Sequence, residues 1–294
     1  ERLLGEGGQG PAFLVHSRAG VRRDVLKVFD PDLVVAHPQV IERTRKLVDM
    51  QLWKAHPGLA GAPRELVTRP GCGYVAAFVQ GMPVGDFFVQ TATDLTLGLS
   101  VGIALSSALY ALECMGIAHG DLSPANVLVD LGPQGVPRVG LIDFDACRLP
   151  GDDMPPVVGT PLYMAPELYE GNATPNLESD RFSLAILLHQ VLLGRHPAKA
   201  WLRNGATTAS QARVMARDDW VYADEHEAAG GVPAALLSSN IRRGLRQGLA
   251  RDPGVRLQSY DWHRLLRRGL DELWICQRCE FASVNHEGRA ACPY

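Results

Sequence analysis

The sequence has no strong excess of charge of either sign, no cysteine framework and no uninterrupted hydrophobic span. Each absence removes a class of function. The 29 Lys and Arg against 32 Asp and Glu leave a net charge of −3, which is no electrostatic footprint for DNA, RNA or an anionic membrane. Cysteine is sparse: six in 294 residues, three of them within the last twenty. That distribution does not frame a disulfide scaffold, and a reducing, cytoplasmic setting is expected. The most apolar stretch, Leu95 to Ile117, has the length of a membrane span. Gly98, Ser100, Gly102, Ser106, Ser107 and Glu113 interrupt it, so it is expected to be a buried core helix, with no membrane partner. No internal repeat or low-complexity segment is visible. No leader-like run precedes Glu1-Arg2-Leu3-Leu4-Gly5, which already lies inside a motif, and the start is expected to be a cut edge.

What is present changes character along the chain. Leu3-Leu4, Ala12 to His16, Val25 to Phe29 and Tyr74 to Val79 are short β-type runs parted by glycine or charged turns. Pro38 to Lys54 has helical spacing of Val40, Ile41, Leu47, Val48 and Leu52. Beyond Gln80-Gly81-Met82-Pro83, helices are expected at Leu95–Met115, Asp180–Leu193, Leu236–Ala250 and Trp262–Trp274. Short apolar runs lie at Val127–Val129 and Val139–Ile142, and residues 199–234 read as an irregular insert.

Gly5-Glu6-Gly7-Gly8-Gln9-Gly10 has G-x-G-x-x-G spacing, which is weak evidence alone. Its flanks read as strand on both sides, which speaks against a strand-to-helix dinucleotide crossover. Glycines at such a hairpin tip let backbone N–H groups approach phosphate oxygens. Further on, Val25-Leu26-Lys27-Val28-Phe29 puts one lysine inside an apolar strand, where it must reach water or a partner. The following helix offers Glu42 and Asp49 as acids for Lys27. Neither spacing is comfortable, and Glu42 is preferred.

The decisive segment is Ile117-Ala118-His119-Gly120-Asp121-Leu122-Ser123-Pro124-Ala125-Asn126-Val127-Leu128-Val129. It resembles the H-x-D-x-x-x-x-N catalytic loop of protein kinases, in which the Asp accepts the substrate hydroxyl proton and the Asn holds Mg²⁺. The matching positions are Asp121 and Asn126. Ile142-Asp143-Phe144-Asp145 resembles the D-F-G motif, with Asp143 at the Mg²⁺ ligand and Asp145 in place of the glycine. Gly159-Thr160-Pro161-Leu162-Tyr163-Met164-Ala165-Pro166-Glu167 resembles the end of an activation segment, and Arg256 matches the arginine that pairs with its Glu167. The resemblance covers residues 1–270 in the family's order. It implies ATP and Mg²⁺ as cofactors, with Gly5, Gly7, Gly10, Lys27, Glu42, Ala77 and Val79 around the nucleotide. It also implies Asp121, Lys27 and Asn126 as catalytic residues, and Asn126 and Asp143 on Mg²⁺. The gatekeeper position behind the adenine falls on Ala76 or Ala77, small in either case.

Three departures from the family stand out. Gly120 replaces the catalytic-loop arginine that reads activation-loop phosphate. Residues 146–159 hold no Ser, Thr or Tyr, so control by a phosphate there is not expected. Ser123 stands where Ser/Thr kinases place a lysine near the γ-phosphate, which removes charge stabilisation.

The fold class implied is α+β and two-lobed. An antiparallel-sheet lobe with one helix (1–82) is followed by a mainly helical lobe (83–272) and a tail (273–294). The function implied is transfer of the ATP γ-phosphate to Ser or Thr of a protein substrate, in the manner of bacterial kinases resembling eukaryotic ones, with a cognate protein phosphatase as a further partner. Alternatives are an aminoglycoside- or choline-type phosphotransferase and an ATP-binding pseudokinase. In the tail, Cys276-Gln277-Arg278-Cys279 and Cys292-Pro293 resemble one knuckle and part of another from a zinc ribbon. Cys276, Cys279 and Cys292 are therefore candidate Zn²⁺ ligands, with His286 a possible fourth.

Overall fold

The structure, a computed structural model, describes residues 2–7, 9–16, 23–69, 71–91, 94–151, 159–169, 173–198, 207–215 and 234–284. The chain opens on a hairpin of β1 (Arg2–Gly7) and β2 (Gly10–His16), with Gly7 opposite Gly10 at its tip, and β3 (Arg23–Val28) pairs beside β2. Helix α1 (Pro31–Ala36) begins where the Asp30 side chain accepts the Asp32 N–H and Pro31 occupies the first turn. Helix α2 (Gln39–Asp49) buries Val40, Arg43, Thr44 and Leu47. The single helix expected over Pro38–Lys54 is broken at Gln51, whose backbone is left-handed (φ 50°), before the short α3 (Leu52–Ala55).

Strands β4 (Pro63–Val67) and β5 (Gly73–Ala77) complete an antiparallel sheet of order β1-β2-β3-β5-β4. The sequence reading missed β4. Pro63-Arg64-Glu65-Leu66-Val67 has little alternation of its own, and pairing with β5 supplies what the local pattern lacks. In register, Lys27 of β3 lies opposite Tyr74 of β5.

The rest of the described chain is mainly helical. β6 (Met82–Pro83) leads into α4 (Val84–Thr91) and α5 (Leu95–Cys114), and β6 also pairs with the hairpin of β7 (Val127–Leu131) and β8 (Pro137–Leu141). Then follow α6 (Pro166–Tyr169), α7 (Leu177–Leu193), α8 (Thr208–Met215), α9 (Ser239–Gly248) and α10 (Ser259–Asp271). Helix α8 falls inside the stretch expected to be irregular. A closing hairpin joins β9 (Leu273–Ile275) to β10 (Ala282–Val284).

Helix α5 is long and apolar enough to cross a membrane by length and composition. In the fold it packs against α10, α7 and β8, with Leu99, Leu105 and Leu112 buried among Leu188, Trp262 and Leu266. The glycines that interrupt its apolar run mark close approaches. A Cβ at Gly98 would sit 2.5 Å from the Val191 carbonyl oxygen, and one at Gly102 would sit 2.8 Å from Leu266 Cδ1. Helix α7 starts on a reciprocal cap between Asn176 and Ser179 and ends at Gly194.

Just past α7, two buried histidines tie the helix end to neighbouring chain. His189 Nδ1 donates to the Arg195 carbonyl (2.8 Å). His196 Nε2 donates to the Leu162 carbonyl (3.0 Å), while its Nδ1 accepts the Ala198 N–H (3.1 Å). With both nitrogens used in the neutral form, burial pushes the His196 pKa down to about 4. The unfolded chain takes up this proton near pH 6.5, whereas the folded chain resists until about pH 4. The contribution of His196 is therefore complete above pH 6.5 and is lost as pH falls towards 4, by about 3 kcal/mol. Urea denaturation from pH 7 to 4 should show wild type losing stability more steeply than a His196→Gln variant. Parallel curves would contradict this account.

Candidate active site

A buried lysine can keep its charge only with a partner, and this requirement organises the site. Strand β3 turns Lys27 towards the helical half. Its Nζ lies 3.0 Å from Asp145 Oδ2 and 3.8 Å from Asp143 Oδ1, with the lysine side chain 8% exposed and that of Asp145 4%. Tyr74, opposite Lys27 across β5, donates its hydroxyl to Asp145 Oδ1 (2.8 Å). Burial works to lower the Lys27 pKa, but Asp145 and then Asp143 outweigh it and the net shift is upward.

Glu42 does not meet Lys27. Its carboxylate is 55% exposed and pairs with Arg45 one turn along α2, and Asp49 also faces solvent. Among the described residues the inward face of α2 carries no carboxylate. The buried Arg43 there donates Nη2 to the Asp145 carbonyl and Nη1 to the Cys147 carbonyl (3.4 Å). The expected Lys27–Glu42 pairing is thus corrected: the helix points a cation inward, and the acid comes from the loop after β8.

The loop between α5 and β7 carries Asp121 and Asn126, and α7 holds it. The buried carboxylate of Asp180 accepts the N–H of His119 and, at 3.0 Å, that of Gly120. Burial pushes the Asp180 pKa up to about 7 against these two bonds, which favour the charged form. His119 is fully buried, donates Nε2 to the Ile142 carbonyl (3.1 Å) and stacks near Phe144 (5.2 Å between ring centroids). Asp121 Oδ1 accepts both the N–H (2.7 Å) and the hydroxyl (2.8 Å) of Thr160. Asn126 Nδ2 donates to Asp121 Oδ2 (3.0 Å) and to the Asp121 carbonyl (2.9 Å). The remaining Asn126 oxygen is the atom chemically suited to a cation.

Asp143 opens the turn after β8 with a left-handed backbone (φ 61°), a conformation found at strained, functional positions for a non-glycine residue. Burial first, and the neighbouring Asp145 carboxylate next, push its pKa up to about 7. Its Oδ1 is buried and accepts no hydrogen bond from the described residues. Two carboxylates, the buried Asp145 and the partly exposed Asp143, thus share the Lys27 ammonium. This surplus of negative charge, with Asn126 lining the same cleft, fits a divalent cation held by Asp143 and Asn126.

Between the two halves lies a cavity of about 330 Å³, reached by Gly5, Lys27, Ala77, Val79, Asn126 and Asp143. The buried Ala76 and Gly61 also line the wall. Gly7 and Gly10 are at the hairpin tip. Arg256 grips Glu167 through two bonds, of 2.7 and 2.8 Å, and fastens the end of segment 159–167 to the helical core. Sequence reasoning missed the roles of Tyr74, Arg43, Asp145 and Asp180. Arg43 could have been found as an arginine on the apolar stripe of α2, a position that demands buried acceptors.

In the closing hairpin, Cys276 and Cys279 flank a tight turn. The Arg278 N–H points at Cys276 Sγ (3.4 Å), Glu280 N–H bonds the Cys276 carbonyl (2.8 Å), and Glu280 is left-handed (φ 61°). An N–H aimed at sulfur favours a thiolate. Among the described residues no group of three metal-ligating side chains occurs, and Cys292 and His286 lie outside the described residues. The hairpin is not detached, because Val284 is buried in the main helical core.

Gly120 has φ +79°, and a Cβ on it would lie 2.3 Å from the Ala146 carbonyl oxygen. Any side chain there forces the loop away from the strand-like segment that pairs at Ala118 and Arg148. Gly120→Ala should cost about 2 kcal/mol in urea denaturation, from left-handed strain and displaced backbone together. An unchanged midpoint would contradict the close approach.

A sequence model described as "Protein kinase domain" matches residues 96–264, more than half of the chain. The chain is 28% identical over 203 residues to "Serine/threonine-protein kinase Pkn1" of Myxococcus xanthus, covering 67% of this chain and 29% of that protein. It is 27% identical over 263 residues to "Serine/threonine-protein kinase PknJ" of Mycobacterium tuberculosis, covering 88% and 43%. It is 24% identical over 200 residues to "CBL-interacting serine/threonine-protein kinase 5" of Arabidopsis thaliana, covering 67% and 44%. The chain therefore spans less than half the length of these relatives. The matched region runs from α5 into α10 and contains the Asp121 loop, the Asp143 turn and the Glu167–Arg256 clamp: the chain belongs to the protein kinase domain family.

Proposed function

We propose that this chain is a serine/threonine protein kinase that uses ATP with Mg²⁺. The observation that carries the proposal is the Asp121 carboxylate, held by Thr160 and by Asn126, which lines the cleft that also contains Lys27 and Asp143. In this reading the nucleotide occupies the cavity under the β1–β2 hairpin, and Lys27 neutralises its phosphates. Asp143 and Asn126 would hold Mg²⁺, which supplies charge neutralisation for the transferring phosphoryl group. Asp121 orients a substrate hydroxyl and takes its proton as the oxygen bonds to the γ-phosphorus and the bond to ADP breaks.

The relatives' names and the bond from Thr160 to Asp121 favour a protein hydroxyl over a small molecule. That bond seats segment 159–167 beside the acceptor position, where a peptide can lie. Ser123 is fully buried and its hydroxyl has no partner among the described residues; it supplies no cation for the γ-phosphate, and turnover should be slow. Phosphate control of the segment is not needed. Arg43 and the Ala118–Arg148 bridge hold the chain at residues 145–148, and Thr160 holds the start of segment 159–167, all through hydrogen bonds.

The test is transfer of labelled γ-phosphate from Mg-ATP to a generic protein substrate and, separately, to aminoglycosides and choline. Protein labelling should be found at equal rates before and after phosphatase treatment of the kinase. Asp121→Asn should lower it on the order of 10²–10⁴-fold with little change in stability. Full activity in that variant, or labelling of the small molecules alone, would overturn the assignment.

We also propose that Cys276 and Cys279, with Cys292, bind Zn²⁺. The support is the turn geometry at Cys276 and the C-x-x-C spacing. Protein purified without chelator should carry about one zinc per chain by elemental analysis, and Cys276→Ser should lose it. Equal zinc in both preparations would leave the three cysteines as ordinary thiols.

A further inference from the structure

The lysine in the cleft has to be aimed as well as neutralised. In the family resemblance that task falls to a helix acid, and α2 offers none to the interior. Its buried face reads Val40, Arg43, Thr44 and Leu47, while Glu42 turns to solvent with Arg45. Had α2 presented a carboxylate here, Arg43 would compete with Lys27 for it. Arg43 instead spends its donors on the carbonyls of Asp145 and Cys147.

Asp145 has the geometry that α2 lacks. One carboxylate oxygen meets Lys27 at 3.0 Å and the other accepts the Tyr74 hydroxyl at 2.8 Å, while its carbonyl is held by Arg43. Strands β5 and β3 therefore converge on the side chain of one residue in the turn Phe144–Ala146, and helix α2 holds the same residue's carbonyl. The glycine expected at this position could not make any of the side-chain contacts. We propose that Asp145 is the positioning residue for Lys27, taking the place of a helix acid. In this chain the lysine's anchor and the metal-binding Asp143 then belong to one short turn.

Two consequences follow for the same nucleotide site, and they rest on the kinase reading above. Lys27 cannot be released by rotating α2, because α2 holds no acid that grips it. Any disturbance of the Asp143 turn, in contrast, moves the lysine's partner and the metal ligand together. Control of this site thus acts on the turn, through Arg43, rather than on a helix-borne ion pair.

The test uses the full chain and two readouts. The first is the rate at which an amine-acylating reagent labels Lys27 without nucleotide, read by peptide mass spectrometry. The second is affinity for a fluorescent ATP analogue with Mg²⁺. Asp145→Asn keeps the shape but removes the 3.0 Å ion pair that holds the Lys27 Nζ in place, so the released Lys27 should be acylated severalfold faster and the analogue bound about tenfold more weakly. Glu42→Gln should leave both readouts at wild-type values. Should Asp145→Asn fail to fold, Tyr74→Phe replaces it and should shift both readouts the same way, by less. The proposal is overturned if Lys27 labelling is unchanged or slower in the Asp145→Asn or Tyr74→Phe variant, or if Glu42→Gln reproduces the loss. Protection of wild-type Lys27 by the ATP analogue separates this from failure of the kinase reading. Without protection the nucleotide site is wrong, while the labelling difference between variants still decides whether Asp145 holds the lysine.

Discussion

The carboxylate of Asp180 is the constraint on which the site depends. Placed at the start of α7, it accepts consecutive backbone N–H groups of His119 and Gly120, about sixty residues earlier in the chain. A loop cannot satisfy two such buried donors by itself, and leaving them unmet would cost roughly 1–3 kcal/mol each. With them fixed, His119 is seated against Phe144, and Asp121 emerges where Thr160 and Asn126 can both reach it. Helix α7 thereby organises the loop from below, while its own position is set by the reciprocal cap at Asn176 and by packing against α5.

The second level of organisation is charge balance in a poorly solvated cleft. Asp143 and Asp145 lie two residues apart and share one ammonium. Asp145 is costly to bury, and it is tolerable because Lys27 and Tyr74 distribute its charge. The residual negative charge is what suits the cleft to a cation. The same economy explains why Arg43 points inward without opposing Lys27: its guanidinium is absorbed by two carbonyls at the near side of the turn. Opposite charges thus alternate from α2 to the turn to β3, and the alternation binds the sheet half to the helical half.

Much of this was legible before any coordinates. Alternation and glycine spacing marked β1, β2 and β3, and helical periodicity marked α5, α7, α9 and α10 within a few residues. Their apolar stripes are continuous, and the packing did not override them. The candidate residues Lys27, Asp121, Asn126 and Asp143 were nameable because each sits in a spaced motif; Lys27, Asn126 and Asp143 line one cleft, and Asp121 is hydrogen-bonded to Asn126. The strand β4 and helix α8 were not legible. The first relies on its neighbour for pairing, and the second has few apolar residues at helical spacing.

What the sequence determined by itself is the order of elements and the inventory of polar groups in the glycine hairpin, the Asp121 loop and the Asp143 turn. These are local properties, carried by spacing along the chain. What only the tertiary structure decided is which acid meets Lys27. Glu42 was the natural choice along the chain, being on the next helix, but the phase of α2 turns it outward and turns Arg43 in. Asp145, more than a hundred residues away, reaches Lys27 because β8 delivers its turn beneath β3 and β5. Ion pairing depends on separation in space and on burial, and for a partner so distant in sequence neither quantity is written in local spacing.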